Sequence, residues 1–568
     1  MLKGWRNKRR ETEIFSLIDA GFEAQGKGEN AVATRAADSI LALEPEQVDA
    51  LYLKGLIAHQ EERLDVARAF YERAILSKPD FIDPYIKMIA ALRTGYQYDD
   101  ALAVWRLALS QVKPSLDQLV DLCAPLASDF PEEVGKVLKP ALDRNHTNSR
   151  VWTTYQQVLQ RLRVDGKEYD DFLAEMRDLF PGTMELAASE AMALLYRNRM
   201  DEVIEAYKVM QQKYPDLVFS DVELARAYRS IRRLDLAEAQ GRKLLNAFPE
   251  DADIAFLLAD IKLCRGDIAE GLELNERRFG RDLGFNWKYL PMPNWQGEPI
   301  AGKKILIIEE QGFGDCIMFG RYLPELIRRG ARVRYVCRPA IYPFFASQAS
   351  LRHAEILSQT EGLQLPDDMD YYVATMSVAH RLGVNTATAG AGSVYLAADA
   401  GRAAEWRGKL PRDGRPLVGI AWAANLTTSF GYEKSIPQAL MPLILDNPDI
   451  AFVSLQVPAS LDAPHRHLLA HTPEIGDFND TIALISCLDA VISVDTSVAH
   501  LSASTGKRTI VLSKFSPDWR WAASDAGVPY WYPQVEVLRQ GARGDWSEPI
   551  KRLTALLKEM NSAVKIVD

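Results

Sequence analysis

The chain of 568 residues is 48% hydrophobic and 25% charged, with a net charge of -10. That length exceeds a single hydrophobic core. The acidic excess does not favour a nucleic-acid partner, and no run is apolar enough to span a bilayer. The five cysteines (Cys123, Cys264, Cys316, Cys337 and Cys487) are scattered and form no Cys-x-x-Cys pair. This argues against a disulfide framework and a structural zinc site. The basic start Lys3, Arg6, Lys8, Arg9 and Arg10 runs into Glu11-Thr12-Glu13. It reads as a solvated tail, not an export signal, so a cytoplasmic location is expected.

The first half is periodic. Ala33, Ala67 and Ala101 share a 34-residue step, as do Pro45 and Pro79, and again Pro181, Pro215 and Pro249. Ala237 and Gly271 keep the same interval. That period belongs to the tetratricopeptide repeat (TPR), a pair of antiparallel helices. The clearest unit spans about Val48 to Phe81. Gly55 and Ala67 are small where its helices meet, Tyr71 and Ala74 pack between units, and Pro79 turns the chain. The step predicts about eight units between Ile14 and Gly284. The poorest matches lie between Ser115 and Phe180, although Trp152 and Phe172 still sit at large-residue positions. Such units stack into a superhelix whose groove holds a peptide or protein.

Pro291 to Pro299 breaks the helical pattern and reads as an ordered connector. Strand-like runs then begin: Lys304–Ile308, Arg332–Val336 and Tyr371–Ala374, with a helix over Cys316–Arg329. A second series holds strands at Pro416–Trp422, Ala451–Leu455, Ala490–Val494 and Arg508–Leu512. Alternating strands and helices imply parallel sheets in two lobes joined near Ala404 to Arg415. The expected fold is a TPR superhelix followed by two Rossmann-like α/β lobes. Its divisions are 1–285 for the repeats, 286–302 for the linker, 303–405 for the first lobe and 406–568 for the second.

Two strand–loop–helix corners carry acids where open parallel sheets bind ligands. In Gly312-Phe313-Gly314-Asp315 the glycines permit a tight turn, but Ile317 replaces the third glycine of a dinucleotide fingerprint. Asp315 reads equally as a general base and as a helix cap. In Asp495-Thr496-Ser497, the two hydroxyls and the helix N–H groups suit a phosphate, against an ordinary N-cap reading. His500 shares their helical face, where it would donate to phosphate or orient Asp495, or is simply a satisfied histidine. Lys434 is placed to neutralise a leaving phosphate, or is a surface lysine. Asp368 and Asp370 read as loop and strand-edge acids rather than an Asp-x-Asp metal site, and His465, His467 and His471 as exposed helical histidines rather than a zinc site. The run Pro517 to Trp521, with Trp531 to Pro533, reads first as core and second as a sugar or acceptor wall.

From about Trp295 to Trp546 the chain resembles the heptosyltransferase-like glycosyltransferases of family 9, which have the two-lobed GT-B fold. The resemblance rests on Gly312-Phe313-Gly314-Asp315, Lys434, Asp477-Phe478-Asn479-Asp480-Thr481 and Asp495 to His500. It implies an inverting enzyme that needs no metal and no cofactor beyond its nucleotide-sugar co-substrate. Asp315 matches the base and Lys434 the phosphate-binding lysine. Asp495 lies near the donor sugar, with Thr496 and Ser497 at its phosphates. Ser497 departs from the glycine usual in the sugar-lipid enzymes. Repeats fused ahead of such a unit resemble bacterial flagellin glycosyltransferases. That architecture implies a cytoplasmic enzyme attaching a nonulosonic acid, pseudaminic or legionaminic, from a CMP donor to flagellin Ser/Thr. The rival expectations are a transferase acting on a lipid-linked or surface glycan and a non-catalytic repeat scaffold or chaperone.

Overall fold

A computed structural model describes residues 2–567 except 62, 95–96, 145–147, 163–166, 216–217, 281–289, 360–367, 425–430, 458–464, 471–473 and 525. Eight helix pairs follow one another among the described residues. The second helices begin at Asn30, Leu64, Tyr98, Pro131, Lys167, Met200, Leu234 and Ile268. Each start therefore lies within one residue of a strict 34-residue grid, although single steps run from 33 to 36. Ala33, Ala67, Ala101 and Ala237 each take the fourth position of such a helix and are fully buried.

The reason for small residues is visible at Gly55, where an added Cβ would stand 2.4 Å from the Tyr71 ring. The weak match over Ser115–Phe180 also has a cause. Pro125 converts the end of the first helix of that pair into a 3-10 turn over Ala124–Leu126, and Pro140 lies inside its second helix. Trp152 and Phe172 nonetheless pack at 5.0 Å between ring centroids. The basic start is the opening of a helix, Leu2–Gly26, rather than a tail.

The chain packs as two compact units. One comprises 1–206 with 282–289, and the other 207–281 with 290–568. Periodicity places the helices of 218–275 with the repeats, while packing places them with the α/β part. Leu263, Ile268 and Leu272 share one apolar core with Ile305, Phe319, Val373 and Ala499. A sequence boundary at 285 therefore follows the repeat pattern and not the core.

Among the described residues, ten strands form two parallel sheets. The first holds β1 (Lys304–Ile308), β2 (Arg332–Cys337), β3 (Glu355–Ser358) and β4 (Tyr371–Ala374), in the order β3-β2-β1-β4. The second holds β5 (Leu417–Ala421), β6 (Ala451–Ser454), β7 (Leu468–Leu469), β8 (Ala490–Val494), β9 (Thr509–Ser513) and β10 (Glu536–Arg539). Its order is β10-β9-β8-β5-β6-β7, the doubly wound arrangement. The strand order reverses between β1 and β4 in one lobe and between β5 and β8 in the other. β3, β7 and β10 are short and half-buried, with no continuous apolar run to announce them.

The connector is ordered around Trp295, which is buried, donates Nε1–H to Glu298 O at 2.9 Å and pairs its backbone with Tyr372. The expected single helix over Cys316–Arg329 is two, Phe313–Gly320 and Leu323–Arg328, because Pro324 starts a new one. The joint near Ala404–Arg415 contains a helix, Ala400–Lys409, capped by Asp399.

Candidate functional site

The first corner leaves β1 at Ile308. Gln311 turns it, with a left-handed φ of 65°. The tight turn expected of the glycines is made at Gln311, and neither Gly312 nor Gly314 has a positive φ. The Arg338 guanidinium holds this turn by donating to Gln311 O at 2.8 Å. Gly314 is small for another reason. A Cβ there would lie 2.8 Å from His500 Cδ2, so the helix Phe313–Gly320 lies against the helix Ser497–Ser504. The two acid corners are thereby brought together within one unit.

Asp315 is 13% exposed. Its Oδ2 accepts the Gly312 N–H at 3.2 Å, which makes it a cap. Its Oδ1 accepts two donors of Arg520, Nε at 2.7 Å and Nη2 at 2.5 Å. Arg520 also donates Nη1–H to Asp518 Oδ1 at 2.8 Å and lies over the Trp519 ring at 4.1 Å. Burial works against the Arg520 charge, but Asp315 and Asp518 outweigh it and raise its pKa. Burial likewise pushes the Asp518 carboxyl up, and Arg520 with Lys434 holds it well below the usual carboxylate range.

The second corner leaves β8 at Val494. Asp495 follows at once, at the point where strand order reverses. Its Oδ2 meets Lys434 Nζ at 2.5 Å, and its Oδ1 accepts Trp521 Nε1–H at 2.7 Å. Lys434 closes a short helix, Gly431–Lys434, that is tied back to the end of β5. The Ile436 N–H donates to Trp422 O at 2.9 Å, and the Ala424 N–H to Ser435 Oγ at 2.9 Å. Burial lowers the Lys434 pKa and the acids Asp495 and Asp518 raise it, with a net rise. The lysine is therefore a cation held among acids, 23% exposed, and not a solvated surface residue. Thr496 sits at the N-cap position with its hydroxyl on Ser493 Oγ at 3.0 Å. Ser497 opens the helix, where the first N–H groups have no preceding turn to bond.

His500 requires a correction. It is 2% exposed and cannot receive a phosphate. Its Nδ1 pairs with the Tyr532 hydroxyl at 3.0 Å, and its ring packs on Trp521 at 4.7 Å. Burial pulls its pKa down to about 3, so it is neutral. It supports Trp521, the donor to Asp495, and reaches Asp495 only through that ring.

The segment Asp518 to Trp521 follows β9 and joins the two corners. Its charges were passed over in favour of its aromatics. Their signal was position, an Asp and an Arg just beyond the carboxyl end of a parallel strand. The aromatics are largely core: Trp519, Trp521, Trp531 and Tyr532 are all buried. Asp477 caps the helix Phe478–Ser486, and Arg402 donates to both Asp477 and Asp480, at 3.1 and 3.0 Å. Asp368 pairs with Lys304 and Arg334, and Asp370 with Lys303, as strand-edge acids should. His465 and His467 are neither helical nor exposed: they lie half-buried in the turn that leads into β7, with His465 3.3 Å from Asp446, whereas His471 is outside the described residues.

The model of glycosyltransferase family 9 (heptosyltransferase) matches residues 456–530, which include Asp495, Asp518 and Arg520 but not Asp315 or Lys434. Protein FlbA of Caulobacter vibrioides is 24% identical over 453 residues, 68% of this chain and 75% of that one. A family 9 glycosyl transferase from Veillonella parvula is similar over 43% of this chain and 88% of its own, at 12% identity and a TM-score of 0.34. A tetratricopeptide repeat protein from Parabacteroides merdae is similar over 49% and 95%, at 14% identity and a TM-score of 0.33.

Proposed function

We propose that this glycosyltransferase, with its TPR array and family 9-like α/β part, moves a sugar from a nucleotide-sugar to a Ser or Thr hydroxyl of a protein recognised by the repeats. One observation carries the reading. The ionic chain Asp315–Arg520–Asp518 and the pair Lys434–Asp495 meet where the carboxyl ends of two parallel sheets converge.

The reaction is a single inverting displacement. The acceptor oxygen attacks the anomeric carbon as the bond from that carbon to the phosphate oxygen breaks. The hydroxyl proton passes to Asp315 through Oδ2, whose contact with Gly312 is the longer one, while Arg520 holds Oδ1. Lys434 swings from Asp495 to the departing phosphate, which Thr496, Ser497 and the helix start also receive. No cofactor takes part, and Lys434 supplies the positive charge that the phosphate needs. Holding both substrates lowers the entropic part of the barrier.

The fusion of repeats to this catalytic unit favours a protein acceptor over a lipid-linked glycan. The resemblance of this architecture to the flagellin glycosyltransferases supports flagellin as the acceptor, a CMP-activated nonulosonic acid as the donor and the cytoplasm as the compartment. The test is co-expression with flagellin and intact-mass measurement, beside a thermal-shift panel of CMP-, UDP-, ADP- and GDP-sugars. Asp315→Asn should abolish transfer and leave acceptor binding intact. Full glycan occupancy with that variant sinks the base assignment, and stabilisation by no nucleotide-sugar favours a scaffold.

A further inference from the structure

Arg229 ends the helix Val218–Ser230, in the seventh helix pair, yet much of its bonding goes to the α/β part. Its Nη2 donates to Pro517 O at 2.9 Å, and its Nη1 donates to Ser516 Oγ. Ser516 Oγ returns a hydrogen bond to Arg229 O at 3.1 Å. Asp260 grips the same guanidinium from Ala252–Arg265, the first helix of the eighth pair, at 2.8 Å from Nε and 3.3 Å from Nη2. The loop so held has left β9 at Ser513 and takes no part in the sheet ladder. The Phe515 N–H of this loop also donates to Gln540 Oε1, at 3.2 Å. One residue beyond Pro517 stands Asp518, then Arg520 on Asp315 and Trp521 on Asp495.

We propose that Arg229 is a positioning residue for sugar transfer, acting through Ser516 and Pro517 to seat Arg520 and Trp521 against the two site acids. That role presupposes the transferase reading above, but its spectroscopic test does not. A displacement of about 1 Å in such a loop is worth up to roughly a hundredfold in rate.

The experiment uses the full chain labelled with 5-fluorotryptophan. The Trp521 resonance is assigned with Trp521→Phe and the Trp295 resonance serves as reference. Arg229→Met is expected to move the Trp521 signal and leave Trp295 in place. The same variant should lower kcat by about 10- to 100-fold, with the nucleotide-sugar KM changed less than about threefold. Arg229→Lys should recover part of both, since an ammonium reaches one of the acceptors. Ser516→Ala, a milder change, should move the same signal, and its effect should not add to that of Arg229→Met. An unmoved Trp521 signal, additive effects, or Trp295 moving together with Trp521 overturns the proposal. If the wild-type chain transfers no sugar, the transferase reading fails alone and the fluorine signals still decide the positioning.

Discussion

Replacing Arg278 by Met tests how firmly the eighth helix pair is built into the α/β part. Arg278 and Glu310 are both fully buried. The guanidinium donates Nε–H to Glu310 Oε2 at 2.8 Å and Nη2–H to Oε1 at 2.7 Å. It also reaches Ser377 Oγ at 2.8 Å, Glu276 Oε1 at 2.9 Å and Asn275 O at 3.0 Å. Without it, the Glu310 carboxylate keeps, among the described residues, the Met376 N–H at 2.8 Å. Stranding one partner of a buried pair costs about 3–5 kcal/mol. At 1.36 kcal/mol per tenfold, the slowest amides of β1 and β4 should exchange some two to nearly four decades faster. Hydrogen-exchange mass spectrometry reads this peptide by peptide, with Val48–Ser77 as an internal control. Adding Glu310→Gln removes the stranded charge while keeping an acceptor for Met376, and should restore at least a tenfold part of the protection. An acceleration below tenfold, or no relief from the second substitution, would refute the reasoning.

Gly314→Ala sets a Cβ 2.8 Å from His500 Cδ2, and overpacking of that kind costs about 1–3 kcal/mol. Thermal denaturation should show a fall in Tm, together with lower transferase activity as Asp315 shifts; an unchanged Tm contradicts the close approach. His500 gives a pH dependence of known sign. Its pKa is depressed from 6.5 to about 3 in the folded chain, so the unfolded chain binds more protons between those values. Its contribution is fully present above pH 6.5 and is lost as pH falls toward 3, at up to about 1.4 kcal/mol per pH unit. Urea unfolding of His500→Phe from pH 7 to 4 should show a shallower slope than wild type, and an equal slope would exclude His500 as the source.

The repeats were legible because one step of 34 residues governs small buried positions, and sterics leave few options where helices meet, as at Gly55. The central strands were legible because β1, β5 and β8 are apolar on both faces. β3 and β10 were not, since each has polar ends and gains its place only from a neighbour. Asp315, Lys434 and Asp495 were found from their positions at strand ends. Arg520 and Trp521 were not assigned to them, because their partners are up to 205 residues away and no periodicity links them. His500 was misjudged for a related reason. Helical spacing gave its face correctly, but Gly314 and Tyr532, which enclose it, come from other elements.

The guanidinium of Arg278 on Glu310 and that of Arg229 on Ser516 bear on how such a chain can be recombined. An exchange of repeats made at 285, where the period ends, discards both arginines and the contacts they hold. An exchange made between Lys213 and Val218, where the sixth pair ends, carries both across with the α/β part and leaves six whole repeats as an interchangeable cassette. Repeats and α/β part can then vary independently among related chains, provided the seventh and eighth repeats are inherited with the α/β part.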